Sequence, residues 1–336
     1  MFKYSLINQE KLTKQIISDI DNKLFSNSII ISGKKYSGKM TLAVELASYL
    51  TNSDYKRISD TNTIILSNRD TAIRLKALYN IAQEEQTHTS FYALLQEIYR
   101  TLHGYSPIFN LSKTEEQLYS IAADLNEELI SFASELSVET LTKIEKPLKS
   151  LIAKYKGGFS IDQIRAIGAY MYSNSEKKVI ILDGIEYAGI SAINSLLKIL
   201  EEPDKNTYFI LLTSNYNQII DTIKSRVRRY ECSSTVLTDI KSKYLTYSGL
   251  DTKRLAEIAK EFLAKEKSET SKLNIINEII ALDPNLDIFI TNLIQEIKLS
   301  DNSYKKMKKL NSIYNNSMIY NQNKATMLDL LMRELC

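Results

Sequence analysis

Four short, continuously apolar runs stand out along the chain: Ser28-Ile29-Ile30-Ile31-Ser32, Thr63-Ile64-Ile65-Leu66, Val179-Ile180-Ile181-Leu182 and Tyr208-Phe209-Ile210-Leu211-Leu212. Runs this short and this rich in isoleucine predict strands buried on both faces, as in a parallel sheet. Between them, Thr41 to Leu50 and Ser191 to Glu202 carry apolar residues at helical spacing. Strand and helix thus alternate through the N-terminal two-thirds, which predicts an α/β layer with parallel strands.

Two stretches break the alternation. From about 71 to 156 no strand pattern occurs, and Leu118, Ile121, Leu125, Leu129, Phe132 and Leu136 recur at helical spacing behind a Ser112-x-x-Glu115 capping box. This predicts a helical insertion, closed by Gly157-Gly158. After Cys232 the pattern is helical again, through Arg254 to Lys265, Lys272 to Leu282, Leu286 to Ile297 and Lys324 to Glu334, punctuated by Asp283-Pro284 and Ser300-Asp301-Asn302.

Composition narrows the class. Nine glycines and four prolines in 336 residues exclude collagen-like, linker-like and Pro-rich disordered chains, and 44% hydrophobic with 25% charged residues is an ordinary globular balance. The length predicts two or three domains. With 43 Lys and Arg against 40 Asp and Glu, no global field draws the molecule onto nucleic acid, so any DNA contact must come from a local patch. Cys232 and Cys336 are the two cysteines, without a Cys-x-x-Cys spacing, and a structural zinc site lacks its ligands. Together with an N-terminus that has no signal-peptide pattern and no run of 18 apolar residues, this predicts a reduced, unanchored, cytoplasmic protein.

Candidate chemistry lies where two glycines share one short loop. Gly33-Lys34-Lys35-Tyr36-Ser37-Gly38-Lys39 fits G-x-x-x-x-G-K, following a buried strand and opening a helix. In such a loop backbone N–H groups turn onto phosphate oxygens, the helix N-terminus adds its dipole, and Lys39 reaches the β and γ phosphates. The next position should be Ser or Thr for Mg²⁺, but it is Met40, and Thr41 is rotated about 100° further round the helix. A turn that binds nothing and a vestigial nucleotide site are the competing readings. Asp183, ending the third apolar run, has the placement of the acidic strand end that holds Mg²⁺ in P-loop enzymes. Gly184 follows it where a hydrolase would carry a glutamate to activate water, and Glu186 lies two residues beyond. The bland reading of Asp183 is a carboxylate ending a sheet strand.

The segment from Ile161 to Tyr230 carries the most specific pattern. It runs Ile161-Asp-Gln-Ile-Arg165, Val179 to Glu186, Ala192-Ile-Asn194-Ser-Leu-Leu-Lys198-Ile-Leu-Glu-Glu-Pro203, Asn206 to Asn215 and Thr222-Ile-Lys-Ser225-Arg226-Val227. In this order and spacing the chain resembles the bacterial DNA polymerase III clamp-loader family, and within it the delta-prime subunits. Leu6-Ile-Asn-Gln9 and the phosphate-loop helix agree, so the resemblance covers most of residues 1–60 and 157–232. It implies an α/β P-loop AAA+ module over 1–232, with the insertion about 71–156, then a small all-α lid over 233–268 and an all-α collar over 269–336.

The family assembles as a ring of five, so the resemblance implies gamma/tau ATPases and delta as partners, and indirectly the sliding clamp and primer-template DNA. In the family a Ser-Arg-Cys motif lends its arginine to ATP bound by the neighbouring subunit. Here that is Ser225-Arg226-Val227, and arginine suits the role because its planar, permanent charge stabilises charge developing on a γ-phosphate. Thr213 corresponds to the family's sensor 1 position. The four-cysteine zinc module that many family members carry after the first helix has no cysteines here, and the insertion lengthens the first domain.

The expected function is therefore a non-hydrolysing, delta-prime-like scaffold that supplies Arg226 in trans. ATP or ADP with Mg²⁺ is held weakly or not at all. The alternatives are an active gamma/tau-type ATPase, which Met40 and Gly184 oppose, and a DNA-binding AAA+ module outside replication. Arg165 and Lys198, with Lys224, Arg228 and Arg229, are candidates for a DNA-facing patch against the plainer reading of solvated charges. His88 and His103 have no partner in sequence and receive no role. Lys305 to Lys309 reads as a solvated helix face.

Overall fold

In a computed structural model of the chain, the described residues are 9–35, 37–52, 62–67, 71–106, 108–109, 116–155, 159–173, 176–233, 252–264, 269–282, 286–319 and 323–335. They form two compact units, Met1–Ser248 and Gly249–Cys336.

The first unit is built on a five-stranded parallel sheet. Its strands are β1 (Ser28–Ser32), β2 (Thr63–Ser67), β3 (Lys178–Asp183), β4 (Thr207–Thr213) and β5 (Arg228–Glu231), in the order β2-β3-β4-β1-β5. β1 pairs in register with β4 (Ser28 with Phe209, Ser32 with Thr213) and β3 with β2 (Asp183 with Ser67). Because successive side chains of a strand point to opposite faces, the apolar runs feed two cores. Ile29, Ile31, Ile65, Ile181, Ile210 and Leu212 meet α1 (Glu10–Asp21) and α2 (Lys39–Thr51) on one face. Ile30, Ile64, Leu66, Ile180, Phe209 and Leu211 meet α7 (Ile161–Tyr170) and α8 (Ile190–Glu201) on the other. The two-sided burial explains why these strands read as continuous rather than alternating runs.

β5 is the strand that periodicity missed. Arg228-Arg229-Tyr230-Glu231 contains one apolar side chain, yet it pairs with β1 along the sheet edge, with Ile31 opposite Tyr230. Only Tyr230 is buried, as suits an edge strand whose charged residues keep it soluble. Its hydroxyl donates to Asp19 Oδ2 at 2.6 Å, and Arg228 pairs with the same oxygen at 2.7 Å, which ties α1 to the edge. Burial and the adjacent Asp19 carboxylate push the Tyr230 phenol above its ordinary value.

The insertion is helical as predicted, and the described residues from 71 to 155 include no strand. α3 (Thr71–Glu85), α4 (His88–Leu102), α5 (Glu116–Ser134) and α6 (Val138–Lys154) enclose their own core, in which Phe91 and Phe132 meet edge to face at 6.0 Å. Leu125, Leu129 and Phe132 are fully buried there. Thr87 with Ser90 and Ser137 with Thr140 form capping boxes at α4 and α6. The expected box at Ser112-x-x-Glu115 and the Gly157-Gly158 closure lie outside the described residues. A four-residue helix, α9 (Asp221–Lys224), leads into β5.

The second unit is all helical: α10 (Thr252–Leu263), α11 (Glu269–Leu282), α12 (Asp287–Leu299), α13 (Ser303–Ile319) and α14 (Lys324–Leu335). These helices bury one common core, with Phe262 against Phe289 at 5.2 Å. The Lys305 to Lys309 run lies on α13, where Lys309 reaches Glu334 at 2.6 Å.

Candidate functional site: a phosphate loop and an arginine at the far end of the sheet

The loop between β1 and α2 is held by contacts from three sides. Gly38 caps α2 with φ +84°, a left-handed conformation that glycine adopts without a Cβ penalty. Gly33 is demanded by crowding instead, because a Cβ there would lie 2.9 Å from both Cys232 Cβ and Ser37 Oγ. The Gly33 N–H donates to the Thr213 carbonyl at 3.2 Å, fastening the loop to the end of β4. From outside, the Gln9 amide donates to the Ser37 carbonyl at 3.2 Å and to Ser233 Oγ at 3.0 Å, while its oxygen accepts the Ser233 N–H at 2.9 Å. Gln9 as a brace escaped the sequence reading, although it sits in the segment that carried the resemblance.

Lys39 is 3% exposed, and a buried ammonium needs acceptors. It finds them in its own loop, donating to the Gly33 and Lys34 carbonyls, both at 2.6 Å, with Ser37 Oγ at 3.5 Å. Its charge is thus turned onto backbone carbonyls of the cradle. Cys232 packs beneath, and burial pushes its thiol up to about 11 against the opposing pull of the Lys39 ammonium. Folded chain in a Cys336→Ser background should therefore react with iodoacetamide at pH 8 about a hundredfold or more slower than an ordinary thiol, because the thiolate is the nucleophile. The rate should rise about tenfold per pH unit and level off only near pH 11, and ordinary reactivity at pH 8 would show Cys232 to be neither buried nor shifted.

The residues at the ends of β3 and β4 are brought next to this loop, but with altered duties. Asp183 is 1% exposed and accepts a hydrogen bond from Ser67 Oγ at 3.3 Å on the adjacent strand. Gly184 has φ +82° and ψ +42°. A glutamate placed there would carry a left-handed backbone, at a cost of about 1–2 kcal/mol. Glu186 does not supply the missing base: its Oε1 accepts the Ser214 N–H at 2.8 Å, so the carboxylate closes the turn after β4. The Thr213 hydroxyl likewise accepts the Asn215 N–H at 3.0 Å. Thr41 is half-buried on α2, and Met40 packs toward the α1/α2 core. Mg²⁺ prefers hard oxygen ligands, and a thioether beside Lys39 is a soft one, so this donor set does not fit that metal. Among the described residues no cluster of three or more His, Cys, Asp or Glu could hold a metal.

Arg226 lies elsewhere. β5 runs parallel to β1 with Arg228 opposite Ile29 and Glu231 opposite Ser32. Arg226, two residues before β5, is therefore at the N-terminal end of the sheet, whereas Gly33 is at its C-terminal end, about 20 Å away along the strands. Its guanidinium donates to the Thr222 carbonyl at 2.8 Å and to Ser225 Oγ at 3.3 Å, and it is paired with Glu201 at the end of α8. This arginine cannot reach the chain's own phosphate loop.

Arg165 and Lys198 are both exposed, on α7 and α8. Those helices pack closely, and a Cβ at Gly168 would lie 3.4 Å from the Ile199 side chain. Arg165 has Asp162 as its ion-pair partner at 3.5 Å. No helix among the described residues is long and apolar enough to cross a membrane.

Comparison with known proteins bears on the same residues. Residues 8–235 match the family described as DNA polymerase III, delta subunit. A segment is 37% identical over 75 residues to the DNA polymerase III subunit delta-prime of Buchnera aphidicola subsp. Schizaphis graminum, covering 21% of this chain and 23% of that protein. The delta-prime subunit of Bacillus subtilis is 44% identical over 52 residues, 16% of each chain, and the tau subunit of the same organism is 39% identical over 74 residues, 21% of this chain and 13% of that one. The matched segment thus spans about a quarter or less of these relatives' lengths. The family match, by contrast, runs over more than half of the chain and takes in the sheet, the phosphate loop and Arg226, so the chain belongs to the DNA polymerase III delta-subunit family of clamp-loader proteins.

Proposed function

We propose that the chain is a delta-prime-like clamp-loader subunit that hydrolyses no ATP itself and lends Arg226 to nucleotide held by a neighbouring subunit. One observation carries the reading most directly: Arg226 and the phosphate loop sit at opposite ends of one parallel sheet. An arginine so placed can act on a γ-phosphate only across a subunit boundary. The loop itself supports the other half. Lys39 is engaged on carbonyls of its own loop, Met40 stands where the metal-binding hydroxyl would be, and the left-handed turn at Gly184 disfavours the glutamate that activates water. The loop then serves as a rigid connection between β1 and α2. In this reading the N-terminal module carries Arg226, a lid follows over 233–268, a collar over 269–336 joins the ring, and gamma/tau ATPases and delta are the partners. The sliding clamp and primer-template DNA are reached through the assembly, with Arg165 and Lys198 as candidate phosphate contacts.

The purified chain should release no phosphate from ATP above the level of a Lys39→Ala control, with or without primed DNA. Turnover that Lys39→Ala abolishes would overturn the non-hydrolysing half and favour an active gamma/tau-type subunit.

A further inference from the structure

The β2 edge of the sheet meets the helical insertion around a cavity of about 720 Å³, a size in the range of small-molecule sites. Its walls include Arg74 on α3, Glu97 and Arg100 on α4, Lys154 on α6, and Tyr105 and Tyr155. Among the described residues of the phosphate loop and the start of α2, only Met40 touches it. It is therefore a separate space from the cradle around Lys39.

The charges lining it are unequal. Glu97, with a side chain 4% exposed, pairs with Arg74 at 2.5 Å and so links α4 to α3. Among the described residues Arg100 has one long contact, 3.5 Å, to the same carboxylate, although its side chain is only 19% exposed. Its Nε is buried without a hydrogen-bond partner. A guanidinium presents five donors in a planar fork suited to two oxygens at once, and a largely buried charge left without such a partner is costly. Lys154, bound among the described residues to the Gln117 amide oxygen at 3.3 Å, adds a second cation to the same wall.

We propose that this cavity is an oxyanion-binding site, distinct from the phosphate loop, in which the Arg100 fork takes the phosphate or carboxylate group of a small-molecule ligand. Tyr105 and Tyr155 supply the apolar and hydroxyl-bearing wall for the remainder of that ligand. The inference stands on the insertion alone and is independent of the role of Arg226.

The test is isothermal titration of the full chain at low salt with two probes, inorganic pyrophosphate for the phosphate class and citrate for the carboxylate class. At least one should bind saturably. Arg100→Gln should weaken it tenfold or more, Arg100→Lys should weaken it less because it keeps the charge but loses the fork, and Lys39→Ala should leave it unchanged. Thermal melts of each variant report on folding. Should Arg100→Gln melt early, the Arg100→Lys and Lys39→Ala pair decides. The proposal is overturned if neither probe saturates, or if binding is lost in Lys39→Ala and kept in the Arg100 variants.

Discussion

On the proposed trans role, replacing Arg226 by alanine should slow ATP hydrolysis at a neighbouring subunit's site by about a thousandfold or more, while leaving the fold of the chain and its entry into a loader intact. The magnitude follows from the chemistry. A guanidinium directed at a γ-phosphate neutralises charge that develops only in the transition state, and such groups contribute roughly 10³ to 10⁵ in turnover. Arg226 is half-exposed and bonded to Thr222, Ser225 and Glu201, none of which belongs to the sheet core. Its removal should therefore cost little stability. Arg226→Lys should restore little, because an ammonium cannot reproduce the planar two-donor contact. The measurement is single-turnover phosphate release by the loader reconstituted with the variant, with primed DNA and clamp present. A loader that loses no hydrolytic phase would sink the trans-acting role. A loader that fails to assemble would make Arg226 a contact that holds the subunits together rather than one that acts on nucleotide.

The largest structural effect is expected at Phe209. It is fully buried at the centre of the sheet, on β4 between β1 and β3, and its ring packs in the α7/α8 core. Truncating such a side chain removes its transfer free energy and leaves a cavity that two flanking strands prevent from collapsing. Phe209→Ala should cost about 3–5 kcal/mol. For a unit of this size that is a fall in melting temperature of about 10 °C. Ile190→Ala, at a position 76% exposed on the neighbouring helix, should change stability by less than about 0.5 kcal/mol. Calorimetry of both variants checks the contrast. Equal melting temperatures would mean that the sheet does not limit the stability of its unit.

The elements read best from the pattern are those buried on both sides. β1, β3 and β4 were legible because a doubly covered strand needs an unbroken apolar run, and the observed strands extend the expected ones by a residue or two at most. β5 was illegible for the opposite reason. At an edge, Arg228, Arg229 and Glu231 remain partly in water, and only Tyr230 pays for its place by burial. The first helix, Glu10–Asp21, was not singled out either. Its contribution to the sheet core is Leu12 and Ile16, and its link to β5 is a polar one through Asp19. The site residues divide the same way. Gly33, Gly38 and Lys39 announced themselves by spacing, whereas Gln9, Cys232 and Glu186 act on the loop and its neighbouring turn from residues remote in the chain.

By itself the sequence determined the layer architecture, the helical insertion, the phosphate loop and the family signature around Asn194 to Pro203. Each of these is a local matter: periodicity follows from backbone geometry, and a cradle follows from where glycine permits a turn. Only the tertiary structure decided what the loop and the arginine can do. The parallel pairing of β5 with β1 puts Arg226 and Gly33 at opposite ends of the sheet, and the fold turns Lys39 inward onto its own carbonyls and Glu186 onto Ser214. Reach and partnership depend on which distant segments lie side by side, and no spacing along the chain encodes that.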